Sequence, residues 1–409
     1  MNKHTIQELY QWQSLPLSIK IRMTQQRIRD WVNEYGEDGV YVSFSGGKDS
    51  TVLLDIVRNM YPNIPAVFVD VPTQYPELKS FATSFDNVTV LHPKTSFMQV
   101  CEEYGFPLIS KEISEKVMYA RKYLKRYLEK NASSLQETIP YAFAIADLLG
   151  IDRRNDKNQE VIQQIKNGDI PIEVFRAILS SEEAPIRVKQ LLGTFLHKEK
   201  GVLTSEPSKM YDSSRYQFFL KADFEISNQC CNVMKKKPVK KYGKETGRHP
   251  MTAQMASESK LREQNWLQSG CNAYDAKEPV SNPMAFWTDQ DVLLYIKTNN
   301  LPICSVYGDI VVDYDGEGQL EGQLRLDEVA NCESFDIGNP LLKTTGCSRT
   351  GCMLCGFGCH LEKSPNRFEM LKETHPGMYK LLDVVKNNGV TFREAIEWTN
   401  EHGNMDIKL

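Results

Sequence analysis

Long hydrophobic segments and a strong excess of charge are both missing from this sequence. No apolar run approaches the roughly 20 residues that a membrane-spanning helix needs. The first residues, MNKHTIQE, contain no hydrophobic signal region, so we expect a cytoplasmic protein with no membrane partner. The formal net charge of −4 on 409 residues gives no general attraction to nucleic acid, so such binding would depend on local basic patches.

A disulfide-stabilised scaffold is also not expected, because the cysteines of a cytoplasmic protein stay reduced. The sequence nevertheless has ten cysteines. Four of them lie close together, which is typical of a metal or iron–sulfur site: Cys347, Cys352, Cys355 and Cys359. Three others are isolated and are expected to be packed core side chains: Cys101, Cys304 and Cys332.

The hexapeptide SGGKDS at residues 45–50 is the most informative motif. It follows an apolar, strand-like run at residues 39–44 and precedes a helical pattern at residues 51–57. Glycines between a strand and a helix let the backbone approach an anion, and the helix dipole adds positive potential. Lys48 adds a cation, while Ser45 and Ser50 add hydroxyl groups. The motif predicts a phosphate site, with an ordinary strand-to-helix turn as the alternative.

Further strands are predicted at residues 66–70 and 88–91, with helical patterns between them. Alternating strands and helices favour βαβ units and a buried parallel sheet. Ligands of such sheets bind beyond the carboxyl ends of the strands, where Asp70 would lie. Asp70 would contact the nucleotide or its metal, or it is simply a turn residue at a strand end.

Two basic stretches are candidates for contact with a polyanion. Residues 115–130 combine lysines and arginines with Tyr119, Tyr123 and Tyr127 at helical spacing. That pattern suits nucleic acid, or equally a packed helix face beside a solvated one. Residues 235–244 contain six lysines in a run that is either a solvated loop or a site for a polyanionic substrate.

The hexapeptide resembles the SGGxDS loop of the PP-loop ATP pyrophosphatases, whose relatives include the phosphoadenosine phosphosulfate (PAPS) reductases. The resemblance implies an α/β, Rossmann-like fold of the adenine nucleotide α-hydrolase type, with a parallel sheet. It also implies ATP and Mg²⁺ as ligands and cleavage between the α- and β-phosphates, with Lys48 and Asp49 as catalytic residues. The nucleotide-binding positions it implies are Ser45, Gly46, Gly47, Lys48, Asp49, Ser50, Asp70 and Lys111.

Later segments are similar to the same family. The segment containing Lys111 would place that lysine near the phosphates, although a solvated lysine at a turn is the alternative. Glu258 and Arg262 are candidate substrate-side residues, or a helical ion pair at i, i+4. Thr288 and Asp291 form a near capping box and predict the start of a helix.

A tandem Cys-Cys far upstream of a Cys-x-x-Cys resembles the [4Fe–4S] signature of adenylylsulfate reductases. The ligand set that this resemblance implies is Cys230, Cys231, Cys352 and Cys355. A local set of Cys347, Cys352, Cys355 and Cys359 is an alternative, and Cys271 would replace one of the tandem pair in another. Structural Zn²⁺ is the alternative metal.

These patterns divide the chain into five predicted segments. They are a helical N-terminal segment (1–37), the first part of a PP-loop nucleotide-binding domain (38–115), a helical insertion (116–200), the second part of that domain (201–300) and a C-terminal cysteine-rich cluster region (301–409).

The C-terminal residues lack the Glu-Cys-Gly-Leu type of motif that carries the nucleophilic cysteine of classical sulfonucleotide reductases. We therefore expect an adenylating iron–sulfur sulfurtransferase, similar to enzymes of DNA phosphorothioation and tRNA thiolation. DNA or tRNA and a sulfur-donor protein are the expected partners. The alternatives are a reductase with Cys347 or Cys359 as a nonstandard nucleophile, and a nucleotide-sensing module without turnover.

Overall fold

The computed structural model describes residues 2–132, 184–199, 202–313 and 341–409. Cys332 and most of the predicted insertion at 116–200 lie outside these residues. The chain forms two compact units. Unit 1 comprises Met1–Lys94 and Met234–Cys352, and unit 2 comprises Thr95–Val233 and Met353–Leu409. The five-segment division stays a prediction; its segment 38–115 contributes residues to both units.

The strands are short and are distributed along the described chain. They are β1 Val40–Ser43, β2 Ala66–Val69, β3 Val88–Leu91, β4 Leu108–Ile109, β5 Lys198–Glu199, β6 Val202–Leu203, β7 His249–Met251, β8 Asn272–Ala273, β9 Val280–Ser281, β10 Ile310–Val312, β11 Leu342–Thr344, β12 Gly356–Phe357, β13 Lys386–Asn387 and β14 Val390–Thr391.

The α-helices account for more of the described residues than the strands do. They are α1 Ile6–Gln13, α2 Leu17–Tyr35, α3 Lys48–Met60, α4 Pro76–Thr83, α5 Phe97–Tyr104, α6 Lys111–Ala132, α7 Ile186–Leu191, α8 Gln229–Cys231, α9 Lys237–Thr246, α10 Lys260–Ser269, α11 Asp289–Asn299, α12 Arg367–Thr374, α13 Pro376–Tyr379 and α14 Phe392–Gly403. Within the parts of the chain that are described, none of them is long and apolar enough to cross a membrane.

Unit 1 is built on a six-stranded sheet of order β3-β2-β1-β7-β9-β8. Neighbouring strands are parallel, apart from the antiparallel pair β8 and β9. The predicted α/β, Rossmann-like fold is therefore confirmed. The chain runs from β1 to β2 and β3 on one side and returns to β7 on the other. The carboxyl ends of β1 and β7 thus form a topological switch point, where ligands of such sheets bind.

Apolar side chains on one face of this sheet form the main core of unit 1. Val42 and Phe68 of the sheet join a core cluster with Val52 of α3 and Trp31 of α2. On the opposite face, Tyr41 and Val67 pack with Tyr242 of α9. Helices on both faces leave the sheet buried, which explains why β1 and β2 read as continuous apolar runs.

Unit 2 is held by small strand pairs and by aromatic packing. β4 pairs in parallel with β12, and β13 pairs with β14. The ring of Phe106, just before β4, stacks on that of Phe392 at the start of α14, with centroids 4.8 Å apart. Arg121 of α6 donates to three backbone carbonyl groups of the turn that follows residue 218: Phe219, Ala222 and Phe224.

The basic run at 235–244 is helical rather than a loop. It comprises the end of a π-helical turn, Asn232–Lys236, and most of α9. Pro238 lies in the first turn of α9, directly after the π-helical turn. Tyr242 is buried while Lys240 and Lys241 are exposed, because the helix is amphipathic and packs one face on the sheet.

A buried ion pair joins α2 to the start of α11. The Nζ atom of Lys20, a residue only 2 % exposed, lies 2.8 and 2.7 Å from the two carboxylate oxygens of Asp291. Asp291 also accepts from the N–H and hydroxyl groups of Thr288, which confirms the predicted capping box. One carboxylate therefore both begins α11 and binds this helix to α2.

Lys20→Met is expected to lower the free energy of unfolding by about 3 kcal/mol, because it leaves the Asp291 carboxylate buried without its cation. The measurement is urea unfolding followed by tryptophan fluorescence, since Trp31 and Trp287 are buried in unit 1. The matched control is Lys3→Met, which removes an exposed pair with Asp275 and should change the free energy by less than about 1 kcal/mol. Equal losses in the two variants would contradict the prediction.

Candidate functional site

The loop at residues 45–47 connects β1 to α3 at the switch point, and its conformation requires glycine. Gly46 has φ +73°, and a Cβ atom there would lie 3.0 Å from the carbonyl oxygen of Leu78. Both the left-handed conformation and the lack of space therefore exclude other residues. Gly47 is the N-cap of α3, so the first N–H groups of this helix, which have no acceptor within the helix, face the loop.

Serine hydroxyl groups hold the loop closed on itself. The Ser50 hydroxyl donates to the carbonyl oxygen of Gly47 at 2.9 Å and accepts from the N–H of Ser45 at 3.1 Å. The N–H of Gly47 donates to the Ser45 hydroxyl at 3.3 Å. The Ser45 and Ser50 hydroxyl oxygens also lie 3.0 Å apart, so both side chains act on the loop itself. Their predicted role toward a phosphate stays a prediction.

Lys48 is a buried cation between two carboxylates. Its side chain is 3 % exposed, with Nζ 2.7 Å from Oδ1 of Asp289 and 3.3 Å from Oδ1 of Asp49. Burial acts to lower the pKa of Lys48, but the two carboxylates outweigh it and leave the pKa above its usual value. Burial raises the pKa of Asp49, and the Asp289 charge adds to the rise. The ammonium group is therefore charged at neutral pH, at the N-terminus of α3.

Two arginines add positive charge to the same site. Arg262 of α10 forms an ion pair with Glu258, whose carboxylate also accepts from the N–H of Met255. Burial lowers the pKa of Arg262, and the neighbouring charge of Arg349 lowers it further, while Asp49 opposes both. The Arg349 charge in turn lowers the pKa of Asp49. Glu258 and Arg262 therefore form the i, i+4 pair, and Arg262 lies within electrostatic reach of Asp49.

Two hydroxyl groups from distant segments complete the site. The backbone N–H of Lys48 donates to the hydroxyl oxygen of Tyr307 at 3.0 Å. That oxygen lies 2.9 Å from the hydroxyl oxygen of Thr350. Sequence reasoning missed Tyr307, Thr350, Asp289 and Arg349 as residues of this site. The only local signal was that Asp289 adjoins a predicted helix cap.

Asp70 lies at the carboxyl end of β2, as predicted. Its carboxylate is 2.7 Å from Nζ of Lys79 and 3.5 Å from Nδ1 of His92. Its predicted role toward the nucleotide or metal stays a prediction. The same holds for Lys111, an exposed residue that begins α6 in unit 2.

The cysteines of the predicted ligand set belong to both units. Cys352 is in unit 1, where its backbone forms a bridge with Gln74, while Cys230, Cys231 and Cys355 are in unit 2. Across the described ranges, no group of three or more histidine, cysteine, aspartate or glutamate side chains is placed to hold a metal ion. The ligand set therefore stays a prediction.

The other cysteines divide into buried and accessible thiols. Cys101 and Cys304 are buried, as expected for core side chains. Cys271 and Cys359 are also buried, and burial raises the pKa of both thiols. Cys347 is partly exposed, and its thiol donates to the hydroxyl oxygen of Tyr75 at 3.6 Å.

A comparison with protein families places these residues in a known context. A family model described as the phosphoadenosine phosphosulfate reductase domain matches residues 39–133 and 183–356. These segments cover more than half of the chain and include the loop at 45–50 and the four cysteines of the predicted ligand set. A search of curated proteins gave no match. The chain therefore belongs to the phosphoadenosine phosphosulfate reductase family.

Proposed function

We propose that this protein binds ATP at the loop of residues 45–50 and cleaves it between the α- and β-phosphates to adenylate an acceptor. The observation that carries this proposal is the buried, charged Lys48 at the N-terminus of α3. Backbone N–H groups and an ammonium group together suit a diphosphate, which is the leaving group of such a cleavage. A sulfonucleotide has no β,γ-diphosphate that would require them.

The residues around Lys48 also suit the Mg²⁺ that accompanies ATP. Asp49 and Asp289 supply carboxylate oxygens, the ligands that Mg²⁺ takes together with substrate phosphates. When bound, Mg²⁺ would neutralise charge on the diphosphate. Lys48 holds the diphosphate, and Arg262 and Arg349 add positive potential for the charge that develops on it.

In this reaction an acceptor oxygen attacks the α-phosphorus, the bond from that phosphorus to the α,β-bridging oxygen breaks, and pyrophosphate leaves. A sulfur nucleophile would then attack the acceptor carbon or phosphorus that bears the adenylated oxygen. The bond from that atom to the oxygen breaks, and AMP leaves with the oxygen. A sulfur-donor protein would supply that nucleophile. With these two steps the proposed activity is that of an adenylating sulfurtransferase, similar to the enzymes of DNA phosphorothioation and tRNA thiolation.

A nucleic acid acceptor is supported by the basic face of α9. Five exposed lysines lie on or next to this helix: Lys236, Lys237, Lys240, Lys241 and Lys244. Only two of them have carboxylate partners in the described structure, Lys240 with Glu278 and Lys241 with Glu245. An uncompensated row of ammonium groups suits a phosphate backbone.

An iron–sulfur cluster remains part of the proposal, with Cys230, Cys231, Cys352 and Cys355 as ligands. Within unit 2, Ile226 pairs with Phe106, and Gly356 pairs with Leu108. The two cysteine segments of this unit are thus attached to the same short stretch of chain. Thiolates are the ligands of such clusters, but no step of the reaction is assigned to the cluster.

A second candidate function is favoured by the family match itself. A sulfonucleotide reductase would use a cysteine thiolate to attack the sulfur of PAPS or adenylylsulfate. Cys347 is partly exposed and suits this role, whereas Cys359 is buried and its thiol donates to the carbonyl oxygen of Cys355. Thioredoxin-dependent release of sulfite would support this candidate.

Lys48→Met is expected to weaken binding of Mg·ATP about 10- to 100-fold, because it removes a charged donor to the phosphates. Calorimetry measures the affinity, and chromatography of radiolabelled ATP shows whether the products are AMP and pyrophosphate. Lys297→Met, at the opposite end of α11 from Asp289, is the control and should behave as wild type. Unchanged cleavage in Lys48→Met, or release of phosphate in place of pyrophosphate, would contradict the proposal.

Anaerobically purified protein is expected to contain about four irons and four sulfides per chain. Cys352→Ser should lose most of this iron, because the serine hydroxyl replaces a thiolate ligand. Cys304→Ser, a buried cysteine outside every predicted ligand set, should retain it. Metal analysis, sulfide assay and visible absorption measure the outcome. If the metal analysis finds stoichiometric zinc and no iron, the cluster is rejected and the alternative of structural Zn²⁺ is supported.

Replacing Lys237, Lys240 and Lys244 together by glutamine is expected to lower affinity for tRNA or DNA about 10-fold or more at low salt. It should also reduce the slope of affinity against salt concentration, because fewer phosphates are neutralised. Fluorescence anisotropy across a salt series measures both. The control variant replaces Lys372 and Lys380, two exposed lysines of unit 2, by glutamine and should keep the wild-type affinity. An unchanged salt slope in the α9 variant would exclude this surface.

A further inference from the structure

The backbone N–H of Lys48 has a partner that differs from the expected one. It is among the first N–H groups of α3, which have no acceptor within the helix and bind anions in loops of this kind. In this structure it donates to the phenol oxygen of Tyr307 at 3.0 Å. A neutral side-chain oxygen from 259 residues further along the chain therefore occupies an acceptor position that a phosphate oxygen would take.

Tyr307 is held in this position from several sides. It is 1 % exposed and packs with Leu78 and Cys304. Its hydroxyl oxygen lies 2.9 Å from that of Thr350. A Cβ atom on Gly47 would lie 3.2 Å from both hydroxyl oxygens, so the pair is in tight contact with the loop backbone. We call Tyr307 and Thr350 the hydroxyl pair.

The backbone at Val306 and Tyr307 is hydrogen-bonded to residues 346 and 347, which shortly precede Thr350. The N–H of Gly346 donates to the carbonyl oxygen of Tyr307, and the N–H of Cys347 donates to that of Val306, both at 2.9 Å. A Cβ atom on Gly346 would lie 2.4 Å from the Val306 carbonyl oxygen, so only glycine permits this approach. A displacement of the backbone at Tyr307 must therefore move residues 346 and 347 or break these hydrogen bonds.

The same segment contacts the loop that follows β2. The thiol of Cys347 donates to the Tyr75 hydroxyl oxygen, and the backbone of Cys352 forms a bridge with Gln74. Residues 346–352 thus contact two loops. Thr350 of the hydroxyl pair contacts the loop at 45–50, and Cys347 and Cys352 contact the loop after β2.

We propose that the hydroxyl pair couples the phosphate loop to residues 346–352. A phosphate oxygen that accepts from the N–H of Lys48 displaces the Tyr307 hydroxyl, and the backbone contacts transmit this displacement to Cys347 and Cys352. Tyr307 is then a positioning residue that competes with the anion. The proposal rests on the proposed function only in taking a nucleotide diphosphate as the anion.

Tyr307→Phe is expected to bind pyrophosphate and Mg·ATP about 3- to 10-fold more tightly than wild type, because a competing hydrogen bond is removed while the ring remains. Thr350→Val, which keeps the side-chain shape, should change affinity in the same direction by a smaller factor. Tyr242→Phe is the matched control, because it removes a hydroxyl group on the other face of the sheet, where it accepts from Arg248. Calorimetry measures the affinity of wild type and of the three variants for pyrophosphate and for Mg·ATP. Unchanged or weaker binding in Tyr307→Phe would overturn the proposal.

A second measurement tests the coupling itself. In wild type, pyrophosphate should increase hydrogen–deuterium exchange in a peptide containing Gly346 and Cys347, whose N–H groups are bonded to the turn at Tyr307. In Tyr307→Phe this ligand-dependent increase should disappear, because the hydroxyl is no longer there to be displaced. An equal increase in both proteins, or no increase in wild type, would contradict the coupling.

These outcomes separate this inference from the proposed function. Tighter pyrophosphate binding in Tyr307→Phe with no cleavage of ATP by wild type would support the coupling and reject the pyrophosphatase. Cleavage of ATP with equal affinities in wild type and Tyr307→Phe would support the pyrophosphatase and reject the coupling.

Discussion

A buried positive charge is the constraint on which the candidate site depends. An ammonium group with 3 % exposure needs nearby carboxylates, and Lys48 has Asp49 and Asp289. Lys48 and Asp49 begin α3, whereas Asp289 begins α11, so the charge can be buried only if both helices start at the same point. The carboxyl end of β1, in the middle of the parallel sheet, is where this occurs.

A second buried ion pair supports the first. Lys20 of α2 holds Asp291, and Asp291 caps the helix whose first residue is Asp289. The position of Asp289 beside Lys48 therefore depends on a contact made on the far side of α11. The helix α2 thus contributes to the geometry of the loop through its contact with α11. In the same way, Tyr307 is directed at the loop by backbone contacts around Gly346.

The parts of the site that sequence reasoning found are those that follow from local chemistry. Gly46 requires a left-handed conformation between a strand and a helix, so it could be assigned from its immediate neighbours. Tyr307 and Thr350 carry no such local signal, and Asp289 is marked only by the adjacent helix cap. Each of the three contacts residues 47–48 across a gap of more than 200 residues, which no local pattern predicts. The run at 235–244 was interpreted as a possible loop because its many lysines suggested a solvated segment. Its helical structure depends on Tyr242, a buried residue within the run that packs on the sheet.

The sequence by itself determined the strand, glycine turn and helix around residues 45–47, the alternation that makes a parallel sheet, and membership of the reductase family. These follow from short stretches whose backbone conformation and apolar pattern are set locally. Only the tertiary structure decided which partners neutralise Lys48 and which side chain accepts from its N–H group. Those partners are chosen by the order of strands in the sheet, because that order brings α3, α11 and residues 305–307 to one strand end.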